Sequence, residues 1–415
     1  MSTVVPFRAL RPKKECVRQV ASHPYDVLEW EEAKRIARDN PLSFLHVEKS
    51  EVDLRKDKDT GVYGDEVYRK AKKNLDRLIR DGVLIQDKKP CFYIYRQNIP
   101  GHTQYGIVGG VSIEEYDAGL IKKHELTMFD KEDDRTRHID IVNAQTGLVF
   151  LVYRAAEAID RIVADVVKEE PEYDFKAEDG IGHTVWVIDD ETTIERIRRE
   201  FSRVDCLYIA DGHHRAASAA AVARRRREKD PGTRQAGEYD YFMATLFPDN
   251  QIRILDYNRV VRDLNGMSEA EFIEKIREGF RVSEDFIDRS PVRFHEFGMY
   301  LNGRWYRLTT RDKLYVGKNK IGQLDVSILQ DNILRPLLGI QDPRTDKRIK
   351  FVGGVRGMKE LERLVDSGQF AVAFSMYPPT PSQLMDIANA GEIMPPKSTW
   401  FEPKLRSGIF VHQLD

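Results

Sequence analysis

The chain predicts a mixed α/β fold. Segments with helical periodicity alternate with strand-like runs through its middle third, and Gly, Pro and Asx clusters punctuate both. At 415 residues the chain exceeds one comfortable core. The expectation is an N-terminal α/β domain over 1–105, a central core over 106–265 and a C-terminal α/β domain over 266–415.

The first segment opens with a short strand, VVPFRAL, and a helix from Leu28 to Asp39 with Trp30, Ala33 and Ile36 as its apolar stripe. Asn40-Pro41 stops that helix. SFLHVEKSEVDL reads as a strand and a turn. Over 64–81, Val67, Ala71, Leu75 and Leu78 recur at helical spacing until Asp81-Gly82. VLIQD and CFYIYRQ read as a hairpin closed over KKP, IPGHTQYG as a loop and IVGGVSI as a strand.

The middle predicts a helix over 134–145, the strand LVFLVYR and a helix over 154–169. EEPEYDFKAEDGIG follows as a loop, then the strand HTVWVID and the helix TTIERIRREF. CLYIA is a strand feeding a helix, and YFMATLFP and RILDYNRVV are strands joined by Pro248-Asp249-Asn250. Beyond Asn265 come the helix SEAEFIEKIREGF and the hairpin FGMYLNGRWYRLTT, turning at Asn302-Gly303. Helices near 324–337 and 357–367, the strand FAVAFSMY and the helix PSQLMDIANAG complete the order.

Composition excludes several classes. Lys and Arg (66) balance Asp and Glu (68), which argues against a generic polyanion binder, so nucleic acid is not an expected partner. Cys16, Cys91 and Cys206 are too scattered for a disulfide framework or a metal knuckle and read as core residues in a reducing compartment. MSTVVPFRALRPKK lacks an apolar h-region, and no apolar run is long enough to cross a membrane, so a cytoplasmic protein is expected. The P-loop, the kinase H-R-D and D-F-G set, the G-x-S-x-G elbow and G-x-G-x-x-G after a strand are all missing.

The most informative stretch is YIADGHHRAAS. A strand ends at Ala210, Asp211-Gly212 turns, and a helix starts near His213. Bare amides and the positive end of the helix dipole favour an anion there. Gly212 removes the Cβ that would hold a ligand off. Arg215 in the first turn disfavours the dipole unless an anion is present, and its fork suits a phosphate. Asp211 is placed to cap the helix, orient neighbours or hold a divalent metal, while His213 and His214 add donors pointing different ways. Ala216, Ala217, Ala219, Ala220, Ala221 and Ala223 make a thin helix able to lie close on a sheet, and Arg224–Arg227 meet its C-terminal dipole. An N-cap alone would explain Asp211 but not the cluster. Zinc is disfavoured because adjacent histidines rarely chelate one ion and no H-x-x-x-H or H-x-E accompanies them.

ADGHHR with its alanine-rich helix resembles the signature of a widespread uncharacterised family of prokaryotic proteins, a domain of unknown function. PFRALRP, HPYDV, NPLSFLHV, HELT with a following DDR, DVSILQDNIL, FVGG and MPPKSTWFEPKLRSG match it in order. More remotely, the box is similar to the turn of the ParB/sulfiredoxin fold, which groups nucleases, CTP-binding partition proteins, sulfiredoxin and free-serine kinases. That resemblance implies a ParB/sulfiredoxin-like core and nucleotide phosphates at the strand–helix junction. Sulfiredoxin chemistry is disfavoured, because His213 stands where sulfiredoxin has its nucleophilic cysteine. Free-serine kinases carry a box like this one and an upstream glutamate base, a role that falls on Glu125 in GLIKKHELT.

Phosphoryl transfer to a hydroxyl needs a proton-accepting carboxylate, a metal on the phosphates and cations for developing charge. Glu125, Asp211 and Arg215 are the candidates, with His214 beside them and His124 and Thr127 as substrate contacts. A solvated loop is the competing reading of His124-Glu125. Within MPPKSTWFEPKLRSG, Lys397, Ser398, Thr399, Lys404 and Arg406 gather three cations and two hydroxyls around Trp400-Phe401, an inventory suited to a phosphate-and-ring ligand or to a prolyl-protected edge strand. The Gly353-Gly354 loop and Tyr25-Asp26 are weaker candidates. The expected function is a phosphotransferase using Mg²⁺ and ATP or ADP on a small hydroxylated metabolite, L-serine first. The alternatives are a nucleotide-binding regulator without turnover and a small-molecule phosphohydrolase. A homodimer is admitted among the partners.

Overall fold

The computed structural model describes residues 2–54, 64–229, 236–284 and 286–415. The chain divides into two units, Met1–Ile252 with Pro403–Asp415, and Arg253–Glu402. The boundary expected near 105 falls inside one continuous strand, and the tail box is split between the units after Glu402.

The first unit is α/β, built on a mixed sheet. Its strands are β1 (Val4–Val5), β2 (Phe92–Ile99), β3 (His102–Ser112), β4 (Ile121–Lys122), β5 (Val149–Tyr153), β6 (Tyr173–Lys176), β7 (Gly182–Ile188), β8 (Leu207–Asp211) and β9 (Tyr241–Pro248). Their order is β4-β8-β5-β9-β3-β2-β7-β6, with β1 on β3. β8 runs parallel to β4 and β9 parallel to β5, while β8–β5, β9–β3 and β3–β2 are antiparallel. Every residue of β5 is buried, as a continuous apolar run in a covered strand should be. Besides the expected helix Trp30–Asp39 and shorter helical turns, its helices include α1 (Asp65–Arg80), α2 (Phe129–Val142), α3 (Glu157–Val166), α4 (Glu191–Phe201) and α5 (His213–Lys229). The alanines of α5 join the core of Val149, Leu151, Ile209 and Phe242, so the thin helix does lie close on its sheet. Ser218 Oγ donates to Glu132 O at 3.0 Å, tying α5 to α2.

Some segments differ from their sequence reading. SFLHVEKSEVDL forms the helical turns Leu45–Glu48 and Ser50–Asp53 rather than a strand. Its apolar run is too short to fix a period, and His46 closes the turns by bonding Asp53 (2.7 Å) and Ala37 O (3.0 Å). Leu84–Gln86 pairs with Leu10–Pro12 instead of with β2. Arg11 grips Asp87 through two bonds of 2.7 and 2.6 Å, drawing that segment away. The loop IPGHTQYG is the start of β3, turned at Gly101 with φ +75°. EYDFK contributes β6, paired with β7.

The second unit carries β10 (Tyr257–Val261), β11 (Phe280–Glu284), β12 (Glu296–Leu301), β13 (Arg304–Thr310), β14 (Ile349–Gly353) and β15 (Val372–Ser375) in the order β11-β13-β12-β15-β10-β14. YFMATLFP and YNRVV, adjacent in sequence, thus belong to different sheets. Asn302 and Gly303 both take positive φ, 47° and 79°, as the tight hairpin requires. Helices α6 (Glu269–Gly279), α7 (Met358–Asp366) and α8 (Pro381–Asn389) follow the expected positions. Among the described residues no helix is long and apolar enough to cross a membrane.

Candidate functional site

The junction of β8 and α5 is shaped by backbone first. The register of β8 against β5 shifts between Ile209 and Asp211, a bulge that re-aims the Asp211 side chain. Gly212 has φ +93°, and a Cβ there would lie 3.2 Å from Arg215 Cζ and 3.4 Å from Val149 Cα. Only glycine meets both demands. The N–H of Ala216 reaches Gly212 O at 3.0 Å, so the amides of His213, His214 and Arg215 form the first turn, where no carbonyl lies one turn back.

Two cations meet Asp211. Arg215 Nη2 donates to its carboxylate at 3.0 Å and Lys404 Nζ lies 3.5 Å away. Burial works to raise the Asp211 carboxyl, yet the Lys404 and Arg215 charges hold it well below the usual range. Arg215 is buried, donates Nη1 to Leu148 O and has Asp26 at 3.7 Å. Gln97 fixes the Lys404 backbone by donating to its carbonyl at 2.9 Å.

The histidines diverge. His214 Nε2 accepts from the Met128 N–H at 3.0 Å, and His213 Nε2 accepts from the His124 N–H at 3.5 Å. A nitrogen accepting from an amide does not donate to a phosphate, so the cradle expected of both imidazoles narrows to their Nδ1 atoms beside the amides, Arg215 and Lys404. His213 Nδ1 faces Glu125 Oε2 at 3.8 Å. His124 packs edge-on against His213, ring centroids 4.5 Å apart, and is only 3 % exposed, which removes it from open substrate contact. Burial lowers His124 to about 4 and carries His213 well below its ordinary value, so both rings are neutral at pH 7. Among the described residues neither ring nitrogen of His124 has a hydrogen-bond partner. The Ile209 backbone lies near enough to favour its charged form slightly, without hydrogen-bond geometry. Glu125 is half-exposed, and Thr127 Oγ1 donates to Glu132 at 2.8 Å. Leu126 and Met128 on the same loop, and Phe129 at the start of α2, are exposed apolar side chains.

Behind Arg215 lies a cavity lined by Tyr25, Glu48, Arg135, Thr146 and Gly147. Arg135 covers the Tyr25 ring at 4.3 Å and approaches Glu48 at 3.7 Å. Glu48 Oε1 and Arg215 Nε are buried without hydrogen-bond partners among the described residues. Tyr25-Asp26 therefore joins the site, whereas Glu48 escaped the sequence reading; its only signal was a carboxylate inside an apolar stretch.

Other candidates lie elsewhere. Arg406 is buried against Asp179 and donates to His183 Nε2 at 3.3 Å, so it cross-links the interior of the first unit rather than closing over a ligand. Burial and the Arg406 charge lower His183 to about 3 and His23 to about 4. Both histidines take protons more readily unfolded, with an ordinary value of about 6.5, so stability is complete above that pH and declines as pH falls toward 4. The melting temperature is expected to drop between pH 7 and 5; a flat profile would contradict this. Lys397, Ser398 and Thr399 belong to the second unit, where Lys397 lies over the Tyr257 ring at 5.6 Å and Ser398 Oγ donates to Pro395 O. The Gly354 N–H is spent on Asp256 O at 2.8 Å, which weakens the loop as an anion nest.

A family model described as "Protein of unknown function (DUF1015)" matches residues 4–327. No curated protein matches the chain. Among solved structures, a conserved hypothetical protein from Pyrococcus furiosus shares 14% identity over 72% of this chain and 92% of its own, with a TM-score of 0.33. A free serine kinase in complex with AMP shares 13% over 71% and 86%, with a TM-score of 0.34. SbnI with C-terminal truncation from Staphylococcus aureus shares 11% over 72% and 84%, with a TM-score of 0.36. At such scores the likeness is remote, and the site stands on its own residues.

Proposed function

This chain belongs to the DUF1015 family, and we propose that it is a nucleotide-dependent phosphotransferase acting on a small hydroxylated metabolite, with free L-serine the first substrate to test. The observation that carries the reading is the Asp211 carboxylate holding Arg215 and Lys404 beside the first turn of α5. Asp211 orients, while the two cations and the amides after Gly212 meet phosphate oxygens. The terminal phosphoryl of ATP or ADP passes to the acceptor oxygen as the nucleotide leaves one phosphate shorter, and Glu125 accepts the hydroxyl proton. His213 and His214 fix the loop that carries Glu125 through its main-chain amides.

Mg²⁺, implied by the resemblance, does not fit a protein-held site here. It demands oxygen ligands, and the Asp211 carboxylate already faces two cations. Mg²⁺ arriving on the nucleotide's own phosphates needs no such cage.

The test is a thermal-shift and calorimetric screen of the full chain with ATP, ADP and hydroxy-amino acids, followed by detection of phosphoserine. Arg215→Ala and Lys404→Ala are each expected to weaken nucleotide binding by about 1.5–3 kcal/mol, the worth of a charged hydrogen bond. Binding without any phosphorylated product would favour a regulatory module, and unchanged affinity in both variants would move the phosphates elsewhere.

A further inference from the structure

The imidazoles of His124 and His213 and the Glu125 carboxylate each offer a ligand atom, and these atoms lie within 4.8 Å of one another. They come from two distant parts of the chain, the loop before α2 and the first residue of α5. His124 is the informative member. It is 3 % exposed, yet neither ring nitrogen has a hydrogen-bond partner. Leaving a buried polar group unmatched is costly, and native proteins rarely tolerate it unless something else satisfies the group. Among the described residues no group meets hydrogen-bond geometry to the His124 ring; the Ile209 backbone comes near without doing so.

We propose that His124, Glu125 and His213 form a binding site for a divalent first-row transition metal of the zinc or manganese class. Two imidazoles and one carboxylate suit such ions and not Mg²⁺ or Ca²⁺, which want oxygen. Bonds of about 2.0–2.2 Å require the ligands to draw closer than they stand, and the half-exposed Glu125 is the member able to move. Three protein ligands leave coordination positions open, as in catalytic rather than structural sites. His213 Nδ1 faces Glu125, and ligation through it places that ring's proton on Nε2, so metal binding gives up the long 3.5 Å contact from the His124 N–H. Monodentate ligation by Glu125 occupies one oxygen, so its second remains for a proton. The site does not depend on nucleotide turnover, and metal binding alone reads it.

The full chain, stripped with chelator, is titrated with Zn²⁺, Mn²⁺, Co²⁺ and Mg²⁺ in the absence of nucleotide, using calorimetry and the visible spectrum of bound Co²⁺. One equivalent of a transition ion is expected, with Mg²⁺ not competing. Glu125→Gln, a change at a half-exposed position, is expected to weaken binding at least tenfold and to alter the Co²⁺ spectrum; His124→Phe is expected to abolish binding. The proposal is overturned if the folded wild-type chain takes up none of these ions, or if one binds and Glu125→Gln leaves both affinity and spectrum unchanged. Nucleotide affinity, measured on the same stripped protein, stays with the phosphotransferase reading whichever way the metal result falls.

Discussion

Glu125→Gln is expected to lower phosphoryl transfer by about 10²–10⁴-fold, the usual worth of a positioned proton acceptor, while nucleotide affinity stays at the wild-type level. The substitution keeps size and one hydrogen-bonding oxygen and removes the negative charge, which is what accepts a proton and what ligates the ion inferred above. Glu125 sits 3.8 Å from His213 on a half-exposed loop, apart from the Asp211, Arg215 and Lys404 group that the reading assigns to the phosphates. A turnover number and a dissociation constant measured on the same preparation separate the two roles. Full activity in the variant removes Glu125 from the chemistry.

Asp211→Ala has the largest expected effect on stability, about 3–5 kcal/mol, because it strands the buried charge of Arg215. Arg215 is 8 % exposed, and its next ion-pair partner, Asp26, stands further off at 3.7 Å against 3.0 Å. Lys404 loses the same carboxylate. The loss is read from the urea midpoint of the full chain, and Asp211→Asn, which keeps an acceptor for Arg215, is expected to fall between the two. A change below about 1 kcal/mol would be that of a solvated surface pair and would contradict the buried arrangement.

Much of this site is legible in local sequence. Gly212 between an apolar run and an alanine-rich helix marks a strand–helix junction, and it turns at φ +93°. The alanines forecast close packing on the sheet, and all those named except Ala221 are buried there. What could not be read was set by tertiary contact. His124 and Glu125 reach His213 from 89 residues away in the case of His124, a meeting no spacing rule contains, which is why zinc was disfavoured on the H-x-x-x-H criterion. Glu48 carries no motif of its own in the sequence, and only the fold buries it beside Arg135. Lys404 and Arg406, two positions apart, differ completely: one meets Asp211, the other is locked to Asp179 and His183. The strand β3 was half missed because its first residues, His102 to Gly106, carry little β-branched character.

The central claim is that a phosphate docks on the amides following Gly212 between Arg215 and Lys404. Its most direct test is a crystal structure of the full chain grown with ADP. The account predicts phosphate oxygens within hydrogen-bonding distance of the His213–Arg215 amides, with one or both of those cations touching them. A nucleotide bound with its phosphates anywhere else, and this helix start left to water, would contradict it.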